Sequence, residues 1–345
     1  MTTHTRKLHE QILPDGSHFG NYTIVRLLGR GGMGEVYLVE DPVANEMLAV
    51  KILDPRTVDS AEEWRELESR FVREAEFAMS IDHPNMLRVY DVGKDPETSL
   101  AYMTMEYMPR GSLAKAIAES GPLEFSRIPS IVADVASALF AIEENGMVHR
   151  DVKSANIMMA ADGQAKLADF GISRFDSKKA AQDEINVTRA EAVVGTPAYM
   201  APEQMLDSRT VDIRADIYSL GVVMFEMMTG HRPNEGESPM ATLAKALDGR
   251  LPPDARSIRP DVPAALAMLA RAMMLPNAAS RPQSAHDVIA LLAHPGKVSR
   301  YLPDATLAVN TTPWYEDRGI IYALVALVFS LEALVAAAIS VFMRR

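Results

Sequence analysis

Residues 28–36 read LGRGGMGEV, a glycine-rich turn between two apolar runs. In the pattern Gly29-x-Gly31-x-x-Gly34, the missing side chains let backbone N–H groups come close to phosphate oxygens. The same spacing occurs in turns that open a helix and in turns that join two strands. The residues on either side of the turn therefore decide which fold it predicts.

Short apolar runs flank the turn on both sides. YTIVRLL precedes it, and EVYLVED and then MLAVKIL follow it. Each run is short and rich in Val, Ile, Leu and Tyr, which is typical of strands. A dinucleotide-binding turn must open into a helix whose N terminus meets the pyrophosphate. This turn joins strand to strand, so the sequence predicts three antiparallel strands and argues against dinucleotide binding; an ordinary hairpin turn is the simpler alternative.

Length and composition restrict the class of protein. With 345 residues, 48% hydrophobic and 23% charged, the chain is predicted to be globular and long enough for two lobes. The formal net charge of -11 argues against nucleic acid as a partner, because such binding relies on Lys and Arg. The absence of cysteine excludes disulfides and thiolate chemistry. The first twenty residues contain no apolar core of the kind found in a signal peptide.

A β-rich half precedes a helical half. Residues 60–80 have charged and apolar residues at helical spacing, and two strand-like runs follow, MLRVYDVG and SLAYMTMEYM. From GSLAKAIAES to about residue 295 the pattern is mostly helical. The predicted fold class is therefore α+β.

Four further motifs follow the turn in a fixed order, namely LAVK, HRDVKSAN, DFG and APE. With the turn, they resemble the signature set of the eukaryotic-like (Hanks-type) bacterial serine/threonine protein kinases. The resemblance covers about residues 20–295 and implies a bilobal protein-kinase fold that uses ATP. The implied divisions are a polar extension at 1–19, a β-rich N-lobe at 20–108 and a helical C-lobe at 109–295.

The ATP site implied by the resemblance begins with Lys51. In a strand, Val50 and Ile52 face the side opposite Lys51, so its ammonium is expected in the cleft, on the α and β phosphates. Its partner is an acid of the next helix, Glu74 first and Glu76 second. Apolar residues are expected over the base, glycines over the phosphates, and linker backbone at the adenine edge. The residues assigned to these roles are Leu28, Gly29, Gly31, Gly34, Val36, Glu106 and Met108.

HRDVKSAN and DFG supply the implied chemistry of phosphoryl transfer. Asp151 would accept or orient the proton of the substrate hydroxyl, and Lys153 would neutralise charge on the transferred group. Asn156 and Asp169 would hold magnesium, or manganese in its place, through hard oxygen ligands. Thr196 of GTPAYMAPE would bond Asp151 and Lys153. The pairing of Lys153 with Thr196 resembles serine/threonine kinases and not tyrosine kinases.

Other residues imply how the kinase is regulated. Because Arg150 precedes the catalytic acid, phosphorylation of the activation segment, residues 169–203, is expected to order it. Thr188 is the first candidate for this phosphorylation. The candidates behind it are Ser173, Ser177 and Thr196.

Three residues are expected to be structural. Glu203 of APE would form a bidentate ion pair with Arg281, and Asp216 would brace the catalytic loop. None of the three is expected to react.

The C-terminal tail predicts a membrane anchor. Residues 320–342 hold 23 positions with a single charge, Glu332. At about 1.5 Å per residue they extend roughly 34 Å, enough for a hydrocarbon core of about 30 Å. The sequence predicts a linker at 296–319, a single transmembrane helix and a short tail at 343–345; a buried core helix is the alternative. The kinase domain is expected in the cytoplasm at the inner membrane.

Glu332 and the small residues after it also suggest a second copy of the chain as a partner. The main prediction is a serine/threonine protein kinase that phosphorylates proteins and itself. The alternatives are a membrane-tethered pseudokinase that only binds, and a small-molecule kinase, which GTPAYMAPE disfavours.

Overall fold

The computed structural model describes residues 11–169, 197–206 and 211–302. The predicted phosphorylation sites, Thr196 and the tail from residue 303 onwards lie outside the described residues. The strands are β1 His18–Phe19, β2 Tyr22–Gly31, β3 Gly34–Asp41, β4 Glu46–Leu53, β5 Val89–Lys94, β6 Ala101–Glu106, β7 Ile157–Met159 and β8 Ala165–Leu167. The helices are α1 Ala61–Ser80, α2 Leu113–Ser120, α3 Ile128–Glu144, α4 Pro202–Leu206, α5 Ile213–Thr229, α6 Pro239–Leu247, α7 Ala264–Met273 and α8 Ala285–Ala293.

The N-terminal lobe is built on one antiparallel sheet with the strand order β1-β2-β3-β4-β6-β5. The glycine-rich turn joins β2 to β3, and Val36 of β3 pairs with Lys51 of β4. Val50 and Ile52, on either side of Lys51, belong to the apolar cluster on the opposite face of the sheet. The three strands predicted around the turn are confirmed, and Lys51 lies on the cleft face.

Helix α1 packs against the cleft face of the sheet. It begins after Ser60, whose hydroxyl accepts the N–H of Glu63 at 3.1 Å and satisfies a free helix-end donor. Its apolar side chains Leu67 and Phe71 join the cluster formed with β4 and β6. The helix carries Glu74 into this interface as a buried residue, whereas Glu76 is exposed.

Residues 11–19 cover the outer face of the sheet. Leu13 and Phe19 are buried against Ile24, Tyr37 and Val39. Backbone bonds from Gly16 N to Ile24 O and from Ile24 N to Ser17 O, at 2.8 and 2.9 Å, fix the segment beside β2. This part of the predicted polar extension thus shares a core with the sheet.

The C-terminal lobe is helical and surrounds α5. Asp212 caps this helix, Gly230 ends it in the left-handed conformation, and nearly every residue between them is buried. Helices α3, α7 and α8 pack around it in one apolar core. The small β7–β8 hairpin connects this core to the cleft. Within the described parts of the chain, no helix is both long and apolar enough to cross a membrane.

Candidate active site

The glycine-rich turn is a hairpin between β2 and β3. Gly31 pairs with Gly34 across it. A Cβ added to Gly29 or Gly32 would meet open space, whereas one added to Gly34 would overlap the carbonyl oxygen of Ile52. The open positions leave room for phosphates, and Gly34 allows β3 to approach β4 closely.

Lys51 extends from β4 into the cleft. Its ammonium donates to Asp169 Oδ1 at 2.7 Å. Burial lowers the pKa of Lys51, but attraction to Asp169 and then Glu74 outweighs it, so the pKa is raised overall. The Lys51 charge is the main cause of a lowered pKa at Asp169. The structure therefore brings Lys51, Glu74 and Asp169 together as charged groups.

The catalytic-loop residues form a second cluster below Lys51. Lys153 Nζ donates to Asp151 Oδ2 at 2.9 Å. Asn156 Nδ2 donates to the same oxygen at 2.9 Å and to the Asp151 carbonyl at 3.0 Å. The carboxylate of Asp151 is thus held in place from two sides.

The chemistry of the two predicted metal ligands fits magnesium. The amide nitrogen of Asn156 donates to Asp151 and lies 3.5 Å from the backbone carbonyl oxygen of Asp169. The amide oxygen of Asn156, which would bind the metal, is therefore turned away from Asp151. Among the described residues no group of three or more His, Cys, Asp or Glu could hold a metal. Magnesium commonly takes one or two carboxylates and completes its shell with water and phosphate, so the carboxylate of Asp169 and the amide oxygen of Asn156 are ligands of the kind that it uses.

Asp216 braces the catalytic loop from beneath. Its two carboxylate oxygens accept the N–H groups of His149 and Arg150, both at 2.7 Å. Burial raises the pKa of Asp216 to about 7, against the opposing effect of these two bonds. Arg150 has a φ of 67° and Asp169 a φ of 53°, conformations that are uncommon outside glycine. Strained backbone of this kind clusters at functional sites.

The predicted adenine region is apolar. Leu28 and Val36 pack with Met105 and Met108 in the cluster on the cleft face.

Glu106 ends β6, and both oxygens of its carboxylate accept hydrogen bonds from Lys166 Nζ, at 2.7 and 2.8 Å. Lys166 was missed by the sequence analysis. The alternation in AKL, with Ala165 and Leu167 buried, places Lys166 on the opposite face but does not indicate its partner.

Glu203 and Arg281 form the expected bidentate pair, at 2.6 and 2.8 Å. The guanidinium of Arg281 is fully buried and also donates to the carbonyls of Leu275, Arg214 and Pro276. A second buried network joins Tyr199 to Ser154 at 2.9 Å and to Glu226 at 2.7 Å. It links the end of the activation segment to the catalytic loop, and the sequence analysis did not identify it.

A profile of the protein kinase domain matches residues 22–295. The fold and the arrangement of the cleft are those of a phosphotransferase with two lobes. The chain belongs to the protein kinase family, and the predicted membership of the bacterial Hanks-type serine/threonine kinases is confirmed.

Similar proteins support this membership. Serine/threonine-protein kinase PrkC of Bacillus subtilis is 37% identical over 244 residues, covering 71% of this chain and 36% of PrkC. PknB of Mycobacterium leprae is 39% identical over 239 residues, covering 68% of this chain and 37% of PknB. This chain therefore spans a little over a third of the length of these curated relatives. The crystal structure of the Mycobacterium tuberculosis PknI kinase domain aligns with a TM-score of 0.60 and 28% identity, over 83% of this chain and all of that one.

Proposed function

We propose that this protein transfers the γ-phosphoryl group of ATP to serine and threonine hydroxyls of protein substrates. The convergence of Lys51, Asp151, Asn156 and Asp169 on one cleft carries the proposal. Phosphoryl transfer needs positioning and charge neutralisation more than covalent chemistry, and these side chains provide both. Family membership and the named kinases PrkC and PknB add support.

In the proposed reaction, the substrate hydroxyl oxygen bonds to the γ-phosphorus while the bond to the β–γ bridging oxygen breaks and ADP leaves. Asp151 orients the hydroxyl and receives its proton. Lys51 binds the α and β phosphates, and Lys153 lies beside Asp151, where it can offset charge on the transferred group. Magnesium held by Asn156 and Asp169 would neutralise phosphate charge when bound.

The test uses the full chain with Mg-ATP and a protein substrate. Asp151→Asn should lower the transfer rate by at least about 100-fold, because the proton acceptor is lost. Asp261→Asn is the matched control, since this exposed acid in the C-lobe contacts only the partly buried Arg259 among the pairs described, and it should leave the rate unchanged. Radiolabel incorporation and mass spectrometry of the modified residues provide the measurements.

The outcomes of this experiment distinguish a kinase from a pseudokinase. Transfer by the parent, with loss in Asp151→Asn, supports the kinase. A parent that binds Mg-ATP but transfers nothing to itself or to any substrate is a pseudokinase, and the proposal is then wrong.

We further propose that the protein phosphorylates its own activation segment, with Thr188 as the first site, and that residues 320–342 anchor it in the inner membrane with the kinase domain in the cytoplasm. A second copy, paired through Glu332 and its neighbouring alanines, is the proposed partner in the membrane. Support for the anchor comes from the apolar length of this segment. A raised local concentration of kinase domains would favour phosphorylation between chains.

A further inference from the structure

A buried carboxylate, Glu35, lies immediately after the glycine-rich turn. Strand alternation places Val36 on the cleft face and Glu35 on the outer face, under residues 11–13. Only 2% of Glu35 is exposed. A carboxylate buried to this extent must be paired and hydrogen-bonded, so its partners show what it holds.

Glu35 has partners from three separate segments. Arg30, inside the glycine-rich turn, donates through Nε at 2.8 Å. The backbone N–H of Ile12, in the N-terminal segment, donates at 2.8 Å to the other oxygen. Tyr37 donates its hydroxyl to Glu35 and in turn accepts the N–H of Leu13 at 2.9 Å. One carboxylate therefore joins the turn to the N-terminal segment.

A second contact holds the tip of the turn. Asp54, at the end of β4, donates its backbone N–H to the carbonyl of Met33 at 3.0 Å. The Asp54 carboxylate is bound by Arg56 at 2.8 Å, and Arg56 also lies 3.9 Å from Glu35. Both arms of the glycine-rich hairpin thus depend on the same polar cluster on the outer face.

We propose that Glu35 is a positioning residue for the nucleotide. Through Glu35, residues 11–13 help to hold the glycine-rich turn in place at the ATP site. The glycines offer no side chains with which to fix the turn, so its position over the phosphates depends on contacts made behind it. Glu35 makes these contacts on the face opposite the nucleotide. This inference rests on the proposed kinase function, because it concerns the same ATP site.

The test measures the affinity of the full chain for a fluorescent ATP analogue with magnesium, and amide hydrogen exchange of residues 29–34. Tyr37→Phe removes only a hydroxyl on the N-terminal side of the cluster, and Glu35→Gln removes the charge. Each should raise the Kd by about three- to tenfold, less than the full loss of a charge-assisted hydrogen bond, because the cluster acts on the nucleotide only through the turn. Exchange at residues 29–34 should become faster, while kcat at saturating ATP stays within about twofold.

Tyr218→Phe is the matched control. Tyr218 is also a buried tyrosine, and its hydroxyl accepts a bond from Asn234 at 2.9 Å in the C-lobe, away from the nucleotide. It should lower the melting temperature without changing the Kd. If Glu35→Gln does not fold, Arg30→Met, at a partly exposed position, repeats the test from the side of the turn.

The outcomes separate this inference from the proposed function. Glu35 is only a structural residue if Glu35→Gln, Tyr37→Phe and Arg30→Met lower the melting temperature but leave the Kd and the exchange of residues 29–34 within twofold of the parent. A rise in Kd for Arg30→Met alone would assign the effect to direct phosphate contact and overturn the role of residues 11–13. Neither the Kd nor the amide exchange requires phosphate transfer, so a failure of the kinase activity would be seen separately, in kcat.

Discussion

His149 is a fully buried imidazole whose hydrogen bonds fix its protonation state. Its Nδ1 accepts the backbone N–H of Asp151 at 3.3 Å, so this nitrogen carries no proton. The other nitrogen, Nε2, lies 3.3 Å from the carbonyl of Ala168 and therefore donates to it. Neutral His149 thus links the catalytic loop to the residue before Asp169. Burial is the main cause that lowers its pKa to about 4.

The lowered pKa predicts a pH-dependent stability. Above the unfolded pKa of about 6.5, both states are neutral and the contribution of His149 is complete; as pH falls towards 4, only the unfolded state gains a proton, and this contribution is lost. Between pH 7 and pH 5 the stability advantage of the parent over His149→Gln should shrink by about 2 kcal/mol. Urea unfolding of both proteins at each pH gives the values.

Asp216 also changes the stability with pH, and for this reason the parent is compared with His149→Gln. Its raised pKa has the opposite sign, because the folded state holds a proton that the unfolded state has lost between about pH 4 and pH 7. This effect is common to the parent and His149→Gln and cancels in their difference. A difference that stays constant from pH 7 to pH 5 would mean that His149 is protonated in the folded protein.

At the scale of the element, the glycine-rich hairpin depends on close strand packing. Gly34 stands where β3 pairs with Leu53 at the end of β4, and a side chain there would meet the backbone of Ile52. Backbone atoms of a central strand cannot move aside as a flexible side chain can. The third glycine of the motif is therefore needed for the sheet as well as for the nucleotide.

Gly34→Ala should accordingly lower the free energy of unfolding by about 2 kcal/mol or more, since overpacking against fixed backbone usually costs about 1–3 kcal/mol. Gly32→Ala is the control in the same turn, because its added Cβ meets open space. Its stability should stay within about 0.5 kcal/mol of the parent. Equal stabilities of the two variants in denaturant unfolding would show that β3 and β4 can separate at no cost.

At the scale of the whole molecule, residues 320–342 are the predicted membrane anchor. We predict that the full chain sediments with membranes and resists alkaline carbonate, because 23 largely apolar residues can span the hydrocarbon core. Residues 1–302, which lack this segment, are the first control. Leu327→Arg with Leu334→Arg is the second control; each arginine, near the middle of the predicted helix, costs about 2.5–3.5 kcal/mol. Carbonate extraction of the full chain, or membrane retention of the double variant, would contradict the prediction.

The sequence by itself determined the elements and the order of the motifs. Alternation predicted β2, β3 and β4, and it placed Lys51 opposite Val50 and Ile52, because side-chain direction in a strand is set by the local backbone. The motif spacing was enough to identify the kinase family. The same motif spacing predicted the residues of the cleft, because these are recognised by residue type and by order along the chain.

Only the tertiary structure decided which side chains meet. Lys166 pairs with Glu106 across 60 positions, Tyr199 bonds Glu226 across 27, and Glu35 bonds Ile12 across 23. Glu74 and Glu76 are equally acidic in sequence, yet only Glu74 is buried beside the cleft. Local patterns fix the face on which a side chain lies but carry no information about which distant element packs against that face. That choice follows from how the sheet, α1 and the helical lobe bury their apolar surfaces together.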